Sequence, residues 1–209
     1  MRFRQILQAK RPVQVRFKID RYVEDIPAML KECYINEVVK RGRNYIDDSA
    51  TNKNIDSVAK WLTGNHKCGL MLFGNPGNGK TTLAKAVAQL VGLLYDSPCY
   101  NERKGIITVS ALELADIAKN DPERFNTIKK AELLHIDDVG TEPTVIKSWG
   151  NEISPFVDLI YYRYDRLLYT VVTSNLYDED IVGRYGPRIA DRFNEMFDKL
   201  SYENKSYRN

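Results

Sequence analysis

The sequence predicts an α/β protein: a five-stranded parallel sheet with helices on both faces, preceded by a short helical N-terminal arm. Three observations predict it. Five short apolar runs alternate with segments whose apolar residues recur at helical spacing. The runs themselves are apolar enough for strands buried on both faces, which is what a parallel sheet requires. The first run ends in a glycine-rich turn that opens a helix. At 209 residues, 43% of them hydrophobic and 28% charged, the chain is long enough to bury one sizeable core.

The elements follow in order. Tyr22, Ile26, Met29, Leu30, Tyr34 and Val38 recur at helical spacing, so Val23–Arg41 reads as one helix within an arm over residues 1–45. The polar stretch RGRNYIDDSATNKN reads as the connector to a core over 46–209. Ile55, Val58, Ala59 and Leu62 mark a short amphipathic helix that Gly64 ends. CGLMLFG (68–74) is the first strand, and a helix follows from Gly79. GIITVSA (105–111) is the second strand, with the helix ALELADIAKN behind it. ELLHID (132–137) is the third. A helix around Ile153–Arg166 precedes the fourth strand, LYTVVTSN (168–175). A helix near Pro187–Phe193 precedes the fifth, MFDKLSY (196–202).

Composition narrows the class. No apolar run approaches the roughly 20 residues that span a bilayer, and the basic N-terminus has no apolar core of the kind a signal peptide carries. The expectation is a cytoplasmic protein with no membrane partner. Cys33, Cys68 and Cys99 are odd in number and widely spaced, which suits idle or buried thiols better than a disulfide framework or a zinc site. Net charge is +3 but uneven: residues 1–43 carry 11 Lys/Arg against 5 Asp/Glu, and the remainder carries 20 against 23. A basic arm on a near-neutral body reads either as a docking segment for an acidic partner or as a solvated charged stretch.

The glycine-rich turn carries the chemistry. Gly74, Asn75, Pro76, Gly77, Asn78, Gly79, Lys80 and Thr81 fit the phosphate-binding pattern G-x-x-x-x-G-K-[ST], with Thr82 continuing into the helix. A polyphosphate must be surrounded by backbone N–H donors, and glycines let the backbone approach. The helix N-terminus behind the turn favours an anion. Lys80 then reaches the β/γ-phosphates of ATP, and the Thr81 hydroxyl coordinates Mg²⁺. The third strand delivers Asp137 and Asp138 to its carboxyl end. Asp137 is expected to serve the metal, and Asp138 to orient the attacking water as general base. One strand separates the turn from this acidic pair in the chain, an insertion expected to set the two apart in the sheet, as in additional-strand ATPases. The fourth strand ends in Thr173-Ser174-Asn175, where Asn175 either holds the same water or the γ-phosphate, or caps the next helix.

GNPGNGKTT, LLHIDDVGTEP, VVTSN and YGPRIADRF, in this order and spacing, resemble the DnaC/DnaI/IstB branch of AAA+ P-loop ATPases, and most of all the DnaC-type replicative helicase loaders. The resemblance covers about residues 45–209. It implies an additional-strand (AAA+/RecA-like) fold and Mg²⁺-dependent, slow, DNA- or partner-stimulated ATP hydrolysis. It implies a replicative helicase or a transposase as protein partner, single-stranded DNA as a further partner, and a homo-oligomer when active. By position it places Lys80 and Thr81 on Walker A, Asp137 and Asp138 on Walker B, and Asn175 on sensor 1. Arg192 falls on the arginine finger, with Arg188 a weaker candidate, and Arg208 falls on sensor 2. For Arg188 and Arg192 an exposed helix face making salt bridges is the alternative. Tyr161, Tyr162 and Tyr164 could stack on bases, although their helical spacing favours packing. An IstB-like transposition helper shares this core. A small-molecule P-loop kinase and a nucleotide-binding module with little hydrolysis are the readings outside that branch.

Overall fold

A five-stranded parallel sheet forms the centre of the computed structural model, which describes residues 16–95, 105–148, 150–204 and 206–207. In chain order the described elements are α1 (Ile26–Val39), α2 (Ser49–Thr63), β1 (Gly69–Gly74), α3 (Lys80–Tyr95), β2 (Ile107–Ser110), α4 (Ala111–Asn120) and α5 (Pro122–Lys130). Then come β3 (Leu133–Val139), β4 (Ile146–Ser148), β5 (Asn151–Ile153), α6 (Pro155–Asp165), β6 (Tyr169–Ser174), α7 (Asp178–Tyr185), α8 (Pro187–Met196) and β7 (Phe197–Tyr202). The sheet order is β2-β3-β6-β1-β7, and every pairing in it is parallel. The strand that sets β1 and β3 apart is therefore β6, not β2, which lies between them in sequence but takes the edge. All six residues of β6 are buried, as its central place demands.

Side chains alternate between the two faces with the period of two that a strand imposes. Leu70 and Leu72 face α1, α2 and α3, whereas Met71 faces the opposite layer with Leu134, Ile136 and Val172. That opposite layer is built from α4 to α8, through residues such as Leu114, Leu159, Ile160 and Phe193. α3 forms because KTTLAKAVAQLVGLLY is rich in strong helix formers, with Leu83, Val87, Leu90 and Val91 on one face and buried.

The N-terminal segment is not an appendage over its described part. Ile19, Ile26 and Leu30 are completely buried in the same cluster as α3. The Ile19 N–H donates to the Leu62 carbonyl at 2.9 Å, and the Phe17 ring meets Tyr169 edge-on at 5.1 Å. Each fully buried apolar side chain of this kind contributes about 1.5–3 kcal/mol, so residues 16–45 belong to the core that the sequence reading began at 46. The connector is also shorter than expected. α2 starts at Ser49, because Asp48 caps it by accepting the Thr51 N–H at 2.8 Å. The sequence reading does not contain the short helix α5 or the β4–β5 hairpin; the helix it allows after Asn175 is α7, whose N-cap is Tyr177 rather than Asn175. α5 buries Phe125 and Ile128 and α7 only Ile181, too few apolar positions to establish a period. Cys33 and Cys68 are buried free thiols; Cys99 lies outside the described residues, as do residues 1–15 of the arm. Among the described residues no helix is long and apolar enough to cross a membrane.

Candidate functional site

The carboxyl ends of β1, β3 and β6 meet beside a cavity of ≈ 520 Å³, of the size that takes a nucleotide-sized ligand. The glycine-rich turn lines one side. Gly74 and Gly79 sit at φ +127° and +94°, in the left-handed region that only glycine adopts freely. Both are also sterically pinned: a Cβ at Gly74 would lie 2.4 Å from the Tyr202 carbonyl oxygen, and one at Gly79 would lie 2.6 Å from the Tyr34 hydroxyl. Lys80 is buried, and its ammonium donates to the Gly74 carbonyl at 2.8 Å, the Asn75 carbonyl at 2.7 Å and Asn78 Oδ1 at 3.1 Å. Asn78 in turn donates to the Tyr202 carbonyl at 2.7 Å, tying the turn to β7. Residues 76–82 line that wall, whereas Gly74 and Asn75 do not reach the cavity.

Opposite stands the acidic pair. Asp137 Oδ1 accepts from the Thr81 hydroxyl at 2.8 Å and from the Thr173 hydroxyl at 2.6 Å. Asp138 is exposed and faces the cavity, with φ +55°. Asn175 lines the cavity from the end of β6. Glu142, buried just after the pair, accepts the Gly140 N–H at 2.8 Å and the Tyr185 hydroxyl, which fixes the loop that leaves β3. Below the pair His135 is fully buried, and burial pushes its imidazole down to about 4. Desolvation outweighs the attraction of the Asp137 carboxylate, 3.8 Å from its Nε2, so the ring is neutral.

The rest of the cavity comes from segments that carry no motif. Tyr34 and Val38 of α1, then Arg41, Arg43, Tyr45 and Ile46, form an aromatic and apolar wall with cations at its rim. Arg41 donates to the Thr82 hydroxyl at 2.9 Å, and Arg43 to the Tyr207 carbonyl at 2.6 Å. Burial raises the Tyr34 hydroxyl to about 12, so it stays neutral beside Gly79. Tyr207 returns over the turn: its N–H donates to the Gly77 carbonyl at 2.9 Å and its hydroxyl reaches Asp48 Oδ2 at 2.8 Å. Burial alone would raise the Asp48 carboxyl, but hydrogen bonds from the Thr51 N–H and from the Tyr207 and Thr51 hydroxyls hold it below the ordinary range. Sequence reasoning missed these residues. The run Asn-Tyr-Ile before the Asp48 cap was the available signal, an aromatic and an aliphatic side chain in a polar connector.

Arg192 lies elsewhere. It sits on α8 with its guanidinium carbon 4.5 Å from the Tyr161 ring centre and 5.3 Å from that of Tyr164, outside the cavity. Arg188 is exposed one turn earlier, and its carbonyl accepts from Arg192 at 3.3 Å. The tyrosines of α6 therefore pack against cations: Tyr162 carries Arg166 over its ring at 3.8 Å. Arg208 lies outside the described residues.

Residues 70–142 match the family model described as "ATPase family associated with various cellular activities (AAA)". Comparison with curated proteins gave no match. Among solved structures, the DnaC helicase loader superposes with a TM-score of 0.59 at 22% identity, over 81% of this chain and 98% of that one. DnaI gives 0.59 at 22% identity, over 78% and 87%. AMPPCP-bound DnaA from Aquifex aeolicus gives 0.52 at 22% identity, over 78% of this chain and 50% of that one. Glycine-rich turn, acidic strand end and sheet order together give this chain the AAA+ P-loop fold, in the form shared by the DnaC helicase loader and DnaI.

Proposed function

We propose that the chain binds ATP with Mg²⁺, hydrolyses it slowly, and serves DNA replication by loading a replicative helicase onto single-stranded DNA. The observation that carries the catalytic half is the convergence of Lys80, Thr81 and Asp138 on one cavity at the strand ends, with Asp137 hydrogen-bonded to the Thr81 hydroxyl beside it. Lys80 exchanges its carbonyl partners for the β/γ-phosphate oxygens, and the backbone N–H groups of the turn take the rest of the phosphate charge. The Thr81 hydroxyl and the Asp137 carboxylate, 2.8 Å apart, are the hard oxygen donors that Mg²⁺ prefers, so the residues present fit the ion. Bound there, Mg²⁺ neutralises charge on the phosphates. Asp138 takes the proton of the attacking water, and Asn175 orients that water or the γ-phosphate. Arg192, which does not line its own cavity, supplies a guanidinium to the site of a neighbouring copy in a homo-oligomer, where it stabilises the charge of the transition state.

The likeness to the DnaC helicase loader and to DnaA supports the setting in replication. The cations along residues 16–43 support docking to an acidic surface. Two measurements test the reading. Calorimetric titration of ATP with Mg²⁺ should show binding that Lys80→Ala weakens at least tenfold; equal affinity in the variant refutes the site. Co-purification with a replicative helicase should occur in ATP and differ in ADP. Capture of a transposase in its place reassigns the chain to transposition.

A further inference from the structure

The sequence motifs assign the two aspartates but not what separates them. β3 and β6 pair in register up to Ile136–Val172 and resume at Val139–Ser174, so Asp137 and Asp138 stand opposite the single residue Thr173. This two-against-one step is a β-bulge, a device that re-aims side chains beside sites. It costs backbone strain, since Asp138 is a non-glycine residue at φ +55°. Thr173 is completely buried at the centre of the step. Its hydroxyl donates to Asp137 Oδ1 at 2.6 Å and accepts the Asp138 N–H at 2.9 Å. Directly above it the ladder is resealed, because the Ser174 hydroxyl donates to the Val139 carbonyl at 2.6 Å.

We propose that Thr173 is the positioning residue of the acidic pair, its one hydroxyl holding Asp137 toward Thr81 while fixing the strained backbone that turns Asp138 into the cavity. A hydroxyl can donate and accept at once, which no aliphatic side chain of this shape can do. The Thr81 hydroxyl also donates to Asp137 Oδ1. If Thr81 turns its oxygen to Mg²⁺, Thr173 is the donor that keeps Asp137 oriented. The inference rests on the metal assignment proposed above and extends it to a residue that touches neither nucleotide nor ion. Partners of this kind behind a metal ligand are typically worth about 10- to 100-fold in metal affinity.

The test compares Thr173→Val, Thr173→Ser and Thr173→Ala with the wild-type full chain. A fluorescent ATP analogue is titrated first in EDTA and then at increasing Mg²⁺, and turnover is followed in parallel. Thr173→Val should bind the analogue in EDTA as the wild type does, yet need about tenfold more Mg²⁺ for half-saturation and lose kcat more than KM. Thr173→Ser, which keeps the hydroxyl, should stay within about twofold of wild type on both readouts. Should Thr173→Val not fold, the contrast between Thr173→Ser and Thr173→Ala decides in the same way. The proposal is overturned if the hydroxyl-free variant shows the wild-type Mg²⁺ requirement, or if Thr173→Ser is displaced as far as Thr173→Val. Failure of the metal reading itself looks different: the unsubstituted chain then binds the analogue with no response to Mg²⁺, and the proposal for Thr173 falls with it.

Discussion

At the residue scale the site depends on a few side chains held in unusual backbone. Asp138 lies in the left-handed region, which Asn tolerates as well as Asp does. Asp138→Asn therefore removes the proposed base without adding strain. It should keep ATP affinity while turnover falls by about 10²- to 10⁴-fold; single-turnover hydrolysis at the wild-type rate would show that the carboxylate is not the base. Gly79→Ala tests the turn instead. The new methyl meets the Tyr34 hydroxyl at 2.6 Å on a backbone at φ +94°. ATP affinity should drop at least tenfold, and the added substitution Tyr34→Phe should relieve the clash without relieving the backbone, restoring only part of it. Full recovery in the double variant would mean that the left-handed backbone was never limiting.

At the scale of elements the N-terminal helix is the informative one. α1 packs on α3 through Ile26, Leu30, Cys33 and Tyr34, and the segment after it supplies Arg41, Arg43, Tyr45 and Ile46 to the cavity. Leu30→Ala should cost about 2–5 kcal/mol, read from urea denaturation. A chain lacking residues 1–43 should lose nucleotide binding along with any partner, because the truncation exposes the face of α3 and opens the cavity. If that truncated chain binds ATP with wild-type affinity, the helix is a detachable arm after all. A docking function for the basic charge is better tested by reversing exposed cations, which leaves the packing in place.

On the scale of the whole molecule two properties can be tested that no element holds alone. One is the proposed assembly. Arg192 rests on Tyr161 and Tyr164 outside its own cavity. Arg192→Ala and Lys80→Ala chains should each be inactive, and their mixture should regain part of the activity by donating a guanidinium to an intact site. Mixtures that stay inactive although sedimentation shows them assembled would exclude an action in trans. The other is acid stability. Burial depresses both His66 and His135, the latter to about 4 against 6.5 in the unfolded chain. The unfolded state then binds more protons between those values, so stability is full above about pH 6.5 and falls as pH drops toward 4. Melting temperatures taken across this range should decline, and His66→Asn should flatten the decline; an undiminished decline in that variant would show that His66 has no part in it.

The sequence by itself determined what depends on local pattern. Apolar runs of strand length and a glycine-rich turn before a helix gave the five parallel strands and the P-loop, because burial on two faces and backbone access to an anion both leave marks in consecutive residues. The positions of Lys80, Thr81 and the aspartate pair followed from the same kind of signal. Tertiary structure decided what depends on residues far apart in the chain. β6 lies between β1 and β3, a choice set by packing that no run of residues encodes. Thr173 faces two aspartates across a bulge that exists only once β3 and β6 pair. Tyr34, Arg41, Arg43 and Tyr207 reach the cavity because α1 and the C-terminal residues fold over the turn. Read along the chain they are a helix face, a polar connector and a tail; only the closing of long loops brings them to one place.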